Sequence, residues 1–193
     1  TREWKAKNSA PHPNRSVLYH SHENRRLRPK DADWSLGWNL TAENIAYGDW
    51  TSTRATIGKS SGKWYWENTV VALNTMSAVA NSTAPLTAQF WGPDANGWSY
   101  FKIWIKLNGS GGIPYWVAYS DGDVIWNALD MDTGEITMYV NGVSQGVMFT
   151  WLTGTIYAGV SLYTWASLTT NFWATEFAYS VPVWYNEGLY TVA

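Results

Sequence analysis

The chain contains no cysteine, so neither disulfides nor thiolate metal sites are available to it. It has three histidines, His12, His20 and His22, and all lie in the first thirty residues. A Ser–His–Asp arrangement drawing on the rest of the chain is thereby excluded. No apolar run approaches the ~18 residues needed to span a membrane as a helix. No charged-then-apolar leader opens the sequence, so no signal peptide is expected. No apolar set recurs at helical spacing over a useful length, so no helix is expected. What remains is a 193-residue chain that is 46% apolar and 17% aromatic, with fifteen tryptophans. That is enough for one good-sized core without covalent staples.

Charge is unevenly placed. Residues 1–30 hold eight Lys/Arg against two Glu, a net of +6, and the remainder carries −8. The first thirty residues also contain Pro11, Pro13 and Pro29 and few aliphatics. Such a stretch buries too little apolar surface to offset its ordering entropy alone. It is expected to be an extended basic arm, with a domain over residues 31–193. The arm would dock on a partner through Trp4, Tyr19, Arg25, Arg26, Arg28 and Lys30. Nucleic acid is a weak alternative, because one short basic cluster lacks interleaved aromatics.

From Asp31 onward, short β-type runs are punctuated by Gly, Asn, Ser and Pro, the pattern of an antiparallel sandwich or barrel. The clearest stretch is Asp121 to Thr150. Val124–Leu129 and Ile136–Val140 read as strands around the turn DMDTGE, and Asn141-Gly142 turns the chain again before Val147–Phe149. Further strands are expected at Trp34–Leu36, Asn39–Glu43, Arg54–Ile57, Lys63–Val71, Leu86–Phe90, Ser99–Ile105, Tyr115–Tyr119, Ile156–Leu162, Leu168–Phe172 and Phe177–Ala178. Residues 72–85 read as a long loop, because Asn, Ser and Thr are frequent there.

Several phrases, RATIGKSSGKWYWE (Arg54 to Glu67), GWSY (Gly97 to Tyr100), GDVIWNALDMDTGEITMYVNGVSQGVMF (Gly122 to Phe149), IYAGVSLY (Ile156 to Tyr163) and NFWATEFAYSVP (Asn171 to Pro182), together resemble the SPRY domain in order and spacing. The wording is most similar to SPRY modules of phage virion or tail-associated proteins. The resemblance implies an all-β, bent two-layer antiparallel β-sandwich of the concanavalin-like type, with an extended N-terminal arm and a binding rather than catalytic role. It implies no cofactor, and a virion location with other virion proteins as partners of residues 1–30. A homo-oligomer or many-copy assembly is expected, with a host surface glycan or protein as ligand. A soluble peptide-recognition adaptor is the alternative, and a glycan-degrading enzyme relying on Glu67 a distant one.

One departure stands out. The family pattern has Gly where this chain has Trp126, Trp173 and Trp184, and Gly is also more usual at Trp38, Trp116, Trp151 and Trp165. Three readings are open: an exposed aromatic binding face, a subunit interface, or a UGA codon translated as Trp that the source decodes as Gly.

Candidate chemistry is sparse. Asp130, Asp132 and Glu135 around Gly134 lack the calcium-loop pattern and read as a solvated hairpin. No metal ligand is assigned. The strand-borne acids Glu67 and Glu43 have no acidic partner two residues away, as a glycosidase face would need. The aromatic and polar mixture after Phe90 suits a sugar better, by stacking on pyranose faces, with aromatics that simply close the sandwich as the plainer reading. The ligand-binding loop is therefore expected at Trp91, Asp94, Asn96, Trp98, Tyr100 and Trp104.

Overall fold

The computed structural model describes residues 18–19, 40–43, 50–72, 74–86, 88–90, 95–109 and 111–189. Its fourteen strands are β1 (Leu18–Tyr19), β2 (Leu40–Glu43), β3 (Thr51–Lys59), β4 (Lys63–Ala72), β5 (Thr75–Ala80), β6 (Gly97–Phe101), β7 (Ile105–Leu107), β8 (Gly112–Pro114), β9 (Val124–Asp130), β10 (Glu135–Val140), β11 (Val143–Phe149), β12 (Ile156–Leu162), β13 (Ser167–Asn171) and β14 (Asn186–Glu187). No helix occurs among the described residues, so none there is long and apolar enough to cross a membrane.

The strands form two layers. The first sheet runs β1-β3-β12-β5-β6-β7-β8, and the second runs β11-β10-β9-β4-β13-β2. All pairings are antiparallel except that of β14, which runs parallel to β4 where β13 has ended. The expected two-layer antiparallel sandwich is therefore the fold. Of the expected arm, only β1 is described, and it pairs with β3 through Leu18↔Ala55 and Tyr19↔Arg54. Trp4, Arg25, Arg26, Arg28, Lys30 and the strand expected at Trp34–Leu36 lie outside the described residues, as does Trp38.

Two-residue alternation decides what goes inside. In β4, Trp64, Trp66 and Val70 face the other sheet, and in β9 Ile125 and Leu129 do. They meet Val79 of β5, Tyr100 of β6 and Val160 and Leu162 of β12 in one core. Full burial of such side chains contributes ~1.5–3 kcal/mol each, before chain entropy is counted. The Asn141-Gly142 reading holds: both residues have positive φ, 48° and 86°, and Val140 pairs with Val143 in a two-residue type I′ hairpin.

Polar residues also enter this core. Asn68 Nδ2 donates to Ser77 Oγ at 2.8 Å, and Ser77 Oγ donates to Asn127 Oδ1 at 2.7 Å. Thr170 Oγ1 donates to Asn68 Oδ1 at 2.8 Å. All four residues are buried, and the chain of bonds joins β5 of one sheet to β4, β9 and β13 of the other. Mutual satisfaction is what makes these groups tolerable at the centre of a sandwich.

Several expected boundaries need correction. Residues 72–85 are not one long loop. Thr75–Ala80 is β5, buried along its whole length between β12 and β6. Its outward Ala78 and Ala80 are covered rather than solvated, which removes the alternation that would have marked it. Leu86–Phe90 is not a strand. Its described residues belong to a strap, residues 81–86 and 88–90, that crosses the outer face of the first sheet, with Ala84 and Phe90 packed on Ala78 and Ala80. Backbone and side-chain bonds hold the strap. Ser52 N donates to Leu86 O, Phe90 N donates to Ser161 Oγ, and Arg54 Nη1 donates to Asn81 O. Ser99–Ile105 is two strands joined by a three-residue turn at Lys102-Ile103-Trp104. Tyr115–Tyr119 is irregular and spends its two tyrosine rings on the core, while Trp116 is exposed. Phe177–Ala178 is irregular too, because its neighbouring N–H groups bond a side chain instead of a strand.

Candidate functional site

The acids come first, because they limit the chemistry. Glu67 is 3% exposed on the outward face of β4. Its Oε1 accepts from Tyr65 Oη at 2.8 Å and from Tyr179 N at 3.1 Å, and its Oε2 accepts from Ala178 N at 2.9 Å. Burial, with the Glu67 carboxylate second, pushes the Tyr65 phenol well above its ordinary range. Glu67 thus fastens the C-terminal segment across the outer face of the second sheet. There Tyr65, Trp126, Tyr139, Phe177 and Tyr179 form an aromatic layer, with Trp126 stacked on Tyr139 at 4.9 Å.

The acidic hairpin is similarly occupied. Asp130 Oδ1 accepts from Asp132 N and Thr133 N, its Oδ2 pairs with Lys63 Nζ at 2.6 Å, and Asp132 Oδ1 accepts from Gly62 N. Burial acts to raise the Asp130 carboxyl, but the bond from Lys63 and the two N–H groups outweigh it and hold it below its ordinary value. These carboxylates organise turns, and no group of three or more metal-ligating side chains comes together among the described residues.

Of the ligand loop expected from the sequence, the described members are spread along β6. Trp91 and Asp94 lie outside the described residues. Asn96 is held against Asn81, whose Nδ2 donates to Asn96 Oδ1 at 2.7 Å. Trp98 packs on the core. Tyr100 is fully buried and donates its hydroxyl to Val117 O, so its ring is closed to a ligand. Trp104 is exposed, but it stands at the other end of β6 from Asn96.

That far end gathers a different set. Trp50, just before β3, lies 5.7 Å from the Phe101 ring at the end of β6 and 5.2 Å from the Tyr163 ring after β12. The register explains the meeting: Thr51 pairs with Leu162, Leu162 with Thr75, and Met76 with Phe101, so these strand ends are level. Beside the trio, Tyr119 N donates to Lys102 O and Tyr115 N to Trp104 O, which lays residues 115–119 along the β6–β7 turn. Ile103 and Val117 are both 42% exposed there. The three half-buried rings meet at one end of the sandwich, and the same end, the rim, carries the two open aliphatics on the adjoining turn and segment. Only this strand register assembles it, since its members are scattered from 50 to 163 in sequence.

Two solved structures share the architecture. The SPRY domain of human HERC1 superposes with a TM-score of 0.59 at 20% identity, over 70% of this chain and 88% of that one. The PSpry domain of TRIM65 gives 0.61 at 13% identity, over 81% and 90%. No family model matches the sequence, and no curated protein matches it. The likeness establishes the SPRY fold for this chain.

Proposed function

We propose that the protein is a non-enzymatic binding module that grips a protein partner at the rim of Trp50, Phe101, Ile103, Val117 and Tyr163. The observation that carries this reading is that the chain itself covers part of both outer sheet faces. The 81–90 strap covers part of one face, and the segment fastened to Glu67 covers part of the other. The rim keeps apolar groups open to solvent, and aromatic side chains with aliphatic neighbours are what protein interfaces use as anchors. The SPRY fold is compatible with such a role, although one fold hosts many functions.

The finer reading sets this module in a phage particle, as a decoration, fibre or tail-associated protein. Its support is the wording shared with phage SPRY modules and the opposed charge of residues 1–30 and the remainder, +6 against −8. Opposite charges of that size favour docking of the basic stretch on an acidic neighbour, including another copy.

Sedimentation separates the settings. A virion component travels with particles and loses them when residues 1–30 are deleted, whereas an adaptor stays soluble with one partner whether or not they are present. In either setting, Ile103→Asp and Val117→Asp should abolish partner retention while leaving the melting temperature unchanged. Retention by both variants would remove the rim from the proposal.

A further inference from the structure

Eleven tryptophans lie among the described residues, and five have positive φ: Trp104 (63°), Trp151 (66°), Trp165 (60°), Trp173 (69°) and Trp184 (75°). Positive φ is found for only a few per cent of non-glycine residues, mostly Asn and Asp, so eleven tryptophans should supply less than one case. Of the other non-glycine residues in this region, Asn74 and Asn141 are of the tolerant type and Ala95 is small.

The local turns state the requirement more sharply. Ala166 N donates to Tyr163 O at 2.9 Å, which makes Trp165 the third residue of a β-turn. Tyr185 N donates to Pro182 O at 3.1 Å, which does the same for Trp184. Positive φ at the third position alone is the sign pattern of a type II turn, where glycine is the expected residue. Trp104 closes the three-residue connection between Phe101 and Ile105, at the left-handed position of such hairpins, again a glycine site.

Burial does not offset the strain. Trp151 is 88% exposed, Trp184 87%, Trp165 67%, Trp104 54% and Trp173 40%. Nor do the five form one docking face. Trp104 and Trp165 are at the rim end, Trp151 precedes β12 at the opposite end, and Trp173 and Trp184 are in the segment after β13. By contrast, Trp64 and Trp66 sit in β4 with ordinary strand backbone and buried rings. Trp116 and Trp126, singled out by sequence, lack positive φ, and Trp126 is packed among Tyr65, Tyr139 and Tyr179.

We infer that residues 104, 151, 165, 173 and 184 are glycine in the protein its source makes, and that each is encoded by UGA read as glycine. UGA is one base from the tryptophan codon UGG and one from the glycine codon GGA, so reading it as tryptophan yields this sequence. The backbone supplies the discriminating evidence: the fold takes a glycine conformation where tryptophan is written. The inference is independent of the binding role, and it leaves Trp50, Phe101 and Tyr163 as the aromatic part of the rim.

Three measurements test it. The gene should carry UGA at these five codons and UGG at Trp64 and Trp66. UGG at any of the five overturns the inference. Peptide masses of the protein from its natural source should show glycine at all five and tryptophan at 64 and 66, and any departure from that sorting overturns it. Finally, the chain as written and its Trp104→Gly, Trp151→Gly, Trp165→Gly, Trp173→Gly, Trp184→Gly variant can both be made with ordinary codons. The variant should melt at the higher temperature. Equal or lower melting contradicts the conformational argument.

Discussion

Glu67 Oε1 lies 3.1 Å from the backbone nitrogen of Tyr179, a bond that joins residues 112 positions apart and fastens the C-terminal segment over part of the outer face of the second sheet. With the bonds from Ala178 N and Tyr65 Oη, it turns the carboxylate into a fastening whose three donors are all protein groups.

Glu67→Gln should therefore destabilise the fold. The amide offers one acceptor oxygen in place of two and turns an N–H toward a backbone donor. A loss of ~1–3 kcal/mol is expected for the buried donors left unpaired. Chemical denaturation gives the magnitude. Hydrogen exchange should locate the loss at Ala178 and Tyr179, and unchanged protection there would show that the segment is held by its aromatic rings instead.

Ser77→Ala removes the hydroxyl that links the two sheets. Asn68 Nδ2 and Asn127 Oδ1 then lose their bonds to it at the centre of the core. The expected cost is again ~1–3 kcal/mol, far above that of deleting an exposed hydroxyl. The double variant with Asn68→Ala should cost less than the sum of the two single variants, because both remove the same bond.

Gly97→Ala tests the strap. A methyl at Gly97 would stand 2.7 Å from Phe90 Cβ and 2.8 Å from Phe90 O, and a backbone oxygen cannot swing aside as a side-chain tip can. Either the strap lifts or β6 shifts, at ~1–3 kcal/mol. Faster proteolysis within 81–90, with the remainder intact, would identify the strap as the part that yields. Wild-type stability would show that Phe90 is not seated as described.

Alkaline pH should act through buried groups of two kinds. Burial raises the phenols of Tyr65, Tyr100 and Tyr119 above their ordinary 10.0. Their share of stability is full below pH 10.0 and falls above it, because only the unfolded chain releases those protons. Lys59 works in the other sense. Burial lowers its ammonium from 10.5 to about 8, so its cost to the fold is full below 8 and is relieved between 8 and 10.5. Its position 3.3 Å from the centroid of the Trp64 ring favours the charged form and limits that effect. Denaturant midpoints followed across this range should fall above 10.0, and less steeply for Tyr119→Phe. An unchanged slope would show that Tyr119 titrates in the folded protein as it does unfolded.

β10 was legible because its two-residue alternation matches one face on the core and one turned away from it, and β9 because its apolar run is bounded by turn residues. β5 was not, since its Thr, Ser and Ala side chains are small and both of its faces are covered. The described members of the expected ligand loop are spread apart for a related reason. Composition marks residues that could stack on a ligand, but Trp98 and Tyr100 are drawn into the core by the alternation of β6, while Asn96 and Trp104 are left at opposite ends. The rim of Trp50, Phe101 and Tyr163 had no local signal, because three separate strand ends supply it.

By itself the order of apolar, polar and turn-forming residues determined a two-layer β architecture and the Asn141-Gly142 hairpin, since alternation and positive-φ turns are properties of neighbouring residues. Tertiary structure alone decided which carboxylates are consumed as fastenings, which aromatic rings meet, and which written tryptophans occupy glycine backbone. Those outcomes depend on strand register and on the handedness each turn must take to return the chain to its sheet, and both arise only when distant segments pack.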